Sequence, residues 1–591
     1  MRTINRAFSL SVALIFAVFS LVTSAAIANA FAGQTTRVSV SSAGDPALAL
    51  VPSDVVSQSG VISADGRYVV FWSSVANLVP GVSGGQVYRH DRINRETVLV
   101  SAGTTGPGNN ASRDPSVSAN GRFVVFSSFA TDLVASDTNG VVMDVFVRDM
   151  ERDPALGGAI ALVSANSANE QGNMSSSLSG LSGAREISDD GRYVVFMSFA
   201  TNFAAVNNSQ RHVYRKDMTS GVTPPTPGAL VRVSVNDVGA GDPGDRFSQA
   251  PSISGNGDTV AFNSAATNFS DRSTTGNIQQ VFVRELPAGP TTLESLGAAD
   301  TGRPSTTPVL SSTGQYLAFE SGGVLDPNDR DNGTLDVYLR DRVLNTTVLA
   351  SRSPNALGGA ISFGPSISGD GRWVAYTSID ELVFGSDPSN DTNGIVADVF
   401  IYDRDSDPDN PSVRYVSLND AGEQATLASF GASVSGDGSL VLFASAAPNL
   451  VTEPASVGSQ LYVRKLVEDQ PQPEVTFEWL APVSDTFSVG RNLPVKFRVL
   501  APDGSSILDQ SVEVDVVDSS RVVVAGPYVF GDQPSRSVMW NGDNYHVNVD
   551  TKDLEAGMYW LRVRFSSATL SGEFTLATNG TASAARARLR D

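Results

Sequence analysis

The chain has 591 residues, 41% of them hydrophobic, with 41 basic and 62 acidic side chains and a net charge of −21. That length holds several ordinary domains, or one large repeat domain with a smaller one beside it, and the lack of any cysteine excludes disulfides, thiolate nucleophiles and cysteine-based metal sites. The negative field repels phosphate backbones and anionic lipid, which argues against nucleic acid and membrane surfaces as partners.

In chain order, Arg2 and Arg6 precede an apolar run from Ala7 to Val22 that ends at Ala28-Asn29-Ala30, the small-residue pattern a signal peptidase cleaves. The pattern predicts a signal peptide over residues 1–30. Its removal takes two arginines and no acids, leaving 39 basic against 62 acidic side chains and a net charge of −23. No later stretch approaches the roughly 18 apolar residues of a membrane span. The mature chain is expected to be exported, to the periplasm, the cell surface or the medium.

A unit best seen in "PSISGDGRWVAYTS", residues 365–378, occurs seven times, anchored on Gly66, Gly121, Gly191, Gly257, Gly314, Gly371 and Gly438. Three residues before each glycine stands a serine, and five after it an aromatic ring followed two later by another serine. A short strand, a turn containing Asp-Gly or Asn-Gly and an alternating "RYVVFxS" strand make a hairpin. A third strand of the "DVFVRD" type and a fourth of the "TxLVS" type follow. Four antiparallel strands repeated at this spacing predict the blades of a β-propeller.

Seven copies of the first three strands are followed by only six of the fourth. The missing copy is "TTRVSV", residues 35–40, at the start of the mature chain. Placed beside the third strand of the last repeat, it would cover a row of otherwise unpaired backbone groups and bury Val38 and Val40. The expected fold is all-β: a seven-bladed β-propeller over residues 31–467 closed by its N-terminal strand, followed by a β-sandwich.

The S-x-D-G-R-x-V-x-F-x-S pattern resembles the TolB-like, WD-repeat-like propeller repeat of exported bacterial proteins, over most of residues 35–467. The resemblance implies loops and a central channel presented for protein or small-ligand contact. Residues 468–474, "EDQPQPE", read as a linker. Beyond it, "NLPVKFRVL", "SVEVDVV" and "MYWLRVRF" alternate as short strands, predicting an immunoglobulin-like β-sandwich over residues 475–577. Pro494-Val495-Lys496-Phe497 and "YHVNVDTKDLEAGMYWLRV" resemble the PxKF modules at the ends of secreted bacterial proteins, which implies display or adhesion. The tail, residues 578–591, is expected to be disordered.

The loops with most chemistry are "DTNGVVMD" (Asp137, Asn139, Asp144), "DTNGIVAD" (Asp391, Asn393, Asp398) and "DRDNGTLD" (Asp329, Asp331, Asp336). Oxygen ligands at positions 1, 3 and 8 suit a structural Ca2+, which takes six to eight oxygens. Equally, Asp and Asn cap tight turns by bonding their own backbone, with Asp144, Asp336 and Asp398 free to pair with strand arginines such as Arg148 and Arg340. Both readings stand at this point; no other cofactor is implied. Arg89, Arg148, Arg215, Arg284, Arg340 and Arg464 recur once per repeat, which suits a hydrogen bond repeated within each blade, and the serines suit backbone bonds at turns. The three histidines are scattered, and no G-x-S-x-G nucleophile elbow occurs.

Glu186 breaks a row otherwise made of Val61, Ser116, Ser252, Val309, Ser366 and Ser433, and an ion pair with Arg185 is its simplest role. The expected function is a non-enzymatic, monomeric, exported scaffold binding an envelope or extracellular protein or a glycan. A polysaccharide lyase or glycosidase and a carbohydrate-binding protein are its alternatives.

Overall fold

The computed structural model describes residues 33–48 and 60–466, apart from 136, 157–158, 205–208, 219–227, 237–241, 270–277, 296–302, 330–332, 353–360, 380–392, 394–395, 407–411 and 453–457. Between 476 and 577 it describes the strands alone. The expected signal peptide, linker and tail lie outside these residues. The chain divides into two compact units, Met1–Val467 and Glu468–Asp591. Among the described residues no helix is long and apolar enough to cross a membrane.

The first unit is built of four-stranded antiparallel sheets, seven among the described residues, one for each copy of the repeat. In the first copy the strands are Gly60–Ile62, Tyr68–Ser73, Gln86–Asp91 and Glu96–Leu99, hydrogen-bonded in chain order. Two rings stack on the second and third strands of every sheet, from Phe71 on Tyr88 at 5.8 Å to Phe443 on Tyr462 at 5.8 Å. The sheet of the seventh copy is the exception in chain order. Its Ser429–Val434, Leu440–Ser445 and Gln460–Lys465 are completed by Thr35–Arg37, which pairs Thr35 with Arg464 and Arg37 with Tyr462.

Strand alternation sends successive side chains to opposite faces, so each sheet packs forward with one face and backward with the other. Val70 and Val87 of the first copy meet Val124 and Phe126 of the second in one core. Val125 and Val147 of the second meet Val194 and Phe196 of the third in the next. The same pairing runs round to a core where Leu442, Leu461 and Val463 of the seventh copy meet Val69 and Phe71 of the first. Val38 of the closing strand is buried in that last core, which seals a ring of sheets, a β-propeller.

The turn glycines are fixed by these junctions. Gly121 has a φ of 73°, in the left-handed region that suits glycine, and a Cβ there would overlap the ring of Tyr68 in the preceding copy. The arginine that follows the glycine closes its own sheet by pairing with the acid ending the third strand. Arg67 meets Asp91 at 2.6 Å, Arg122 meets Asp149 at 3.0 Å and Arg372 meets Asp403 at 2.9 Å.

In the second unit nine strands between Thr476 and Ala577 are hydrogen-bonded in one continuous order. Tyr545, Val547 and Val549 alternate inward along one strand, and Phe497 stacks on Tyr545 at 5.2 Å.

Val38 contributes about 1.5 to 3 kcal/mol by burial alone. A chain beginning at Gly44 loses that burial and leaves the seventh sheet with an open edge. Its melting temperature should fall by about 3 °C or more, with loss of solubility; a melt as high as that of the longer chain would refute the role of the closing strand.

Candidate functional site in the channel

The innermost strands of all copies surround a central channel, and two tiers of inter-sheet bonds define it. At the first tier, the residue two before the turn glycine joins its neighbour through the backbone, with Asp65, one before the glycine, as the donor in the first copy. Ala119 donates to Asp189 (3.2 Å), Asp189 to Gly255 (2.8 Å), Gly255 to Ser312 (2.8 Å) and Ser312 to Gly369 (2.9 Å). Gly369 then donates to Gly436 (2.8 Å), Gly436 to Ala64 (2.9 Å) and Asp65 to Ala119 (3.2 Å). The circle of bonds is complete. It holds small residues because the backbones touch; a Cβ at Gly436 would lie 2.9 Å from that of Ala64.

At the second tier, three residues further from the turn, the serine of one copy accepts the N–H of the next copy's inner strand. Ser116 accepts from Glu186 (3.2 Å), Ser252 from Leu310 (3.0 Å), Ser366 from Val434 (3.0 Å) and Ser433 from Ile62 (3.2 Å). Further out, five copies carry a β-bulge in the first strand. The bulge puts Asp114, Ala250 and Thr307 at positive φ, a strain that side chains other than glycine rarely bear.

The third copy departs at every tier. Its ring residue is Asp189, the one charged residue among Ala64, Ala119, Gly255, Ser312, Gly369 and Gly436; its serine-tier residue is Glu186. Where six positions separate Ser112 from Ser118, twelve separate Ser176 from Ser188, and the added segment crosses the channel. A Cβ on its Gly183 would lie 2.6 Å from the Cβ of Ser366 in the sixth copy and 2.9 Å from the carbonyl of Ala432 in the seventh. Ala184 accepts from Ser116 (3.3 Å), and Leu178 donates to Ser127 (3.0 Å). Between this segment and the ring lies a cavity lined by Arg185, Asp189, Ser116, Ser366 and Ser433 among others.

The charges do not pair as the sequence order suggests. Arg185 forms its ion pair with Asp189, four residues on, and Asp189 also accepts a hydrogen bond from the Ser312 hydroxyl. The expected Arg185–Glu186 pair is therefore corrected: the two side chains take different partners, Arg185 the Asp189 carboxylate and Glu186 the Ser179 backbone. Glu186 is 1% exposed and accepts a hydrogen bond from the Ser179 backbone. Burial pushes its carboxyl up to about 8, and the charge of Asp114 adds to the shift. Asp114 is itself raised by burial, against the opposing effects of Arg113 and Ser127.

The loops read as calcium candidates lie elsewhere. Asp137 accepts the N–H groups of Asn139 and Gly140, each at 3.2 Å. Asp144 accepts from Asn139 (2.9 Å), Gln171 (2.7 Å) and Ser164 (2.6 Å). Asn393 bonds Asp398 at 3.1 Å and Ser417 bonds Asp398 at 2.6 Å, repeating that arrangement. Ser351 bonds Asp336 at 2.8 Å, and Asp329 accepts from Tyr338. Asp331 and Asp391 lie outside the described residues. No group of three or more His, Cys, Asp or Glu side chains placed to hold a metal is found among the described residues. The acids Asp144, Asp336 and Asp398 thus bond the serine just beyond the fourth strand where pairing with Arg148 and Arg340 was expected.

The arginines bond both within and between sheets: Arg284 donates to Thr291 (2.8 Å), Arg340 to Thr347 (3.1 Å) and Arg464 to Thr35 (2.9 Å) of their own sheets, as expected, and most of the series also bridge to a neighbouring copy. They occupy two adjacent strand positions. Arg89 and Arg215 face forward and donate to Gly121 (2.8 Å) and Gly257 (2.6 Å) of the next copy. Arg148, Arg340 and Arg464 face back, to Ala102 (3.1 Å), Glu294 (2.6 Å) and Leu418 (2.9 Å) of the copy before. Lys216 takes the backward position in the third copy, bonding Ala165 and Asn166 at 2.9 Å; burial pulls its ammonium down to about 8.

No family model matches the chain, and no curated protein matches it. Solved structures of similar fold include a prolyl endopeptidase (11% identity, 76% of this chain and 55% of that one, TM-score 0.39). Others are the GH74 xyloglucanase of Xanthomonas campestris (9%, 92% and 80%, 0.38) and the periplasmic gluconolactonase of Pseudomonas aeruginosa (14%, 66% and 93%, 0.30). The chain spans little more than half the length of the prolyl endopeptidase and of the acylaminoacyl peptidase from Pyrococcus horikoshii. These neighbours are enzymes, and on that finding the expectation of a non-enzymatic scaffold is withdrawn. At such identities and TM-scores the likeness is one of fold, and what each neighbour acts on stays with it.

The raised carboxyl of Glu186 sets a pH test. Between the ordinary glutamate value of 4.5 and about 8 the folded state holds a proton that the unfolded state has released. Stability from this group is therefore lost as pH rises through that window and is level above it. Glu186→Gln removes the loss. Urea midpoints at pH 6 and pH 8.5 should differ more for the parent than for the variant; equal pH slopes would show that Glu186 is ionised in the fold.

Proposed function

We propose that the protein is an exported, monomeric, seven-bladed β-propeller with a C-terminal β-sandwich, and that it hydrolyses a small acyl compound in its channel. Seven four-stranded sheets closed by the chain's own N-terminal strand support the blade count and the monomer. Inward alternation along Tyr545, Val547 and Val549 supports the sandwich. The resemblances to TolB-like repeats and PxKF modules, with the leader-like residues 1–30, support export.

The observation that carries the activity is Asp189. It places a carboxylate in a ring otherwise made of Gly, Ala and Ser, facing the cavity, with a guanidinium and a hydroxyl bonded to it. In a ring of near-identical units, chemistry is expected where one unit departs, and a cavity holding charged groups is the default site. Asp189 would take a proton from water as the water oxygen bonds an ester, lactone or amide carbonyl. Arg185 would offset the negative charge that develops on the carbonyl oxygen. The carbon to leaving-group bond then breaks, and the proton passes from Asp189 to the leaving group. Glycoside hydrolysis fits less well, because it asks for two carboxyls flanking the bond, and Glu186 is turned to the Ser179 backbone.

The purified chain should turn over at least one of an aryl ester, a lactone and an aminoacyl anilide. Asp189→Asn should lower kcat/KM by about 100-fold or more, with Glu186→Gln within a few-fold of the parent. Turnover of none of the three substrates, or an undiminished Asp189→Asn variant, would overturn the assignment.

A further inference from the structure

The cavity has two ends of different build. One is the ring of seven backbone hydrogen bonds, which cannot widen without breaking a joint between sheets. The other is a single segment, Leu178–Arg185, inserted in the third copy alone. Its Gly180 and Gly183 have φ of 71° and 75°, and Gly180 lies against the carboxyl of Asp114 while Gly183 lies against Ser366 and Ala432. The segment is anchored at its ends, by Leu178 on Ser127 and by Ser116 on Ala184. Between the anchors, Gly183 reaches the sixth and seventh copies by close packing.

We infer that Leu178–Arg185 is a plug that decides what reaches the channel site, admitting a small molecule or the free end of a chain and excluding a polymer threaded through the ring. The inference deepens the reading of the channel as the site and adds the size class of its substrate. A threaded chain would need both ends open. The ring end is held by the joints that hold the propeller together, and the plug end is spanned by one peptide segment. Only the segment can vary without cost to the ring. The bond that at four other junctions runs to a tier serine is supplied here by the plug's own Arg185 carbonyl, which accepts from Ile253 at 2.9 Å. The insertion thus replaces a joint while covering the cavity.

The absence of cysteine allows a direct test. Ser433→Cys places one thiol in the cavity wall, and Ala43→Cys gives an exposed reference. In the full chain a bulky fluorescein maleimide should label Cys at 433 at least ten-fold more slowly than Cys at 43, while iodoacetamide shows a smaller gap. Replacing Leu178–Arg185 by the Asp-Pro of the second copy should raise maleimide labelling at 433 at least ten-fold. Gly183→Val, whose side chain cannot fit against Ser366, should raise it also and serves if the shortened chain melts early. Fast maleimide labelling of the full chain, or labelling unchanged in whichever variant stays folded, would overturn the plug. The readout does not depend on turnover, so a chain without hydrolase activity leaves it standing, and an open channel leaves the test of Asp189 standing.

Discussion

Each sheet of this propeller is incomplete without the next, and that constraint governs the rest of the molecule. The turn of one copy lies on a side chain of the copy before, an aromatic ring in five of the seven, its backbone donates into the next copy's ring residue, and its forward and backward faces belong to two different cores. A radial array of such units is stable only when the last meets the first. The meeting is made by Thr35–Arg37 against Gln460–Lys465, so the two ends of the repeat region lie in one sheet. Because a β-sheet edge is a row of unpaired donors and acceptors, closure by the chain's own strand removes the edge that the seventh copy would otherwise present.

This dependence explains which residues recur. The turn glycine answers two demands at once, a left-handed φ and room for a neighbouring side chain, and no other residue meets both. The serines recur because a hydroxyl can accept an N–H across a junction while staying small enough for the channel wall. Arg148 and Arg464 are buried and pulled down to about 10 by burial, yet they persist because they saturate carbonyls that the twist between sheets leaves open. The recurring polar residues are joints, and their regularity marks them as such.

The periodic part of the structure was legible in the sequence for the same reason. Copies of one unit report strand order, turn position and the missing fourth strand without any knowledge of distance. What was not legible depends on the direction of a side chain. Arg89 and Arg148 look equivalent in the sequence but stand one strand position apart, and on an extended strand one position reverses the face. Arg185 beside Glu186 looks like an ion pair, yet Arg185 reaches Asp189 and Glu186 the Ser179 backbone. The calcium reading of Asp137, Asn139 and Asp144 could not see Gln171 and Ser164, which arrive from the fourth-strand region and donate to the same carboxylates. Asp189 was missed although the signal was present, since it is the only acid at its place in seven aligned copies.

The same logic separates the third copy from the others. The backbone ring of seven bonds is kept in the third copy, and at the serine tier, where four junctions use a hydroxyl, the third copy supplies a replacement. Its Arg185 carbonyl takes the N–H that a tier serine takes at those four, and Asp189 keeps its place in the backbone ring while its side chain turns to Arg185 and Ser312. Glu186, protonated by burial, fills its place without bringing an uncompensated charge into the wall. Three ionisable groups have therefore been added to an apolar and hydroxyl-lined channel with every inter-sheet bond of the ring intact. The charges enter with the backbone ring kept and with one serine-tier joint remade by the Arg185 carbonyl, which is the pattern expected of a site built into a closed ring.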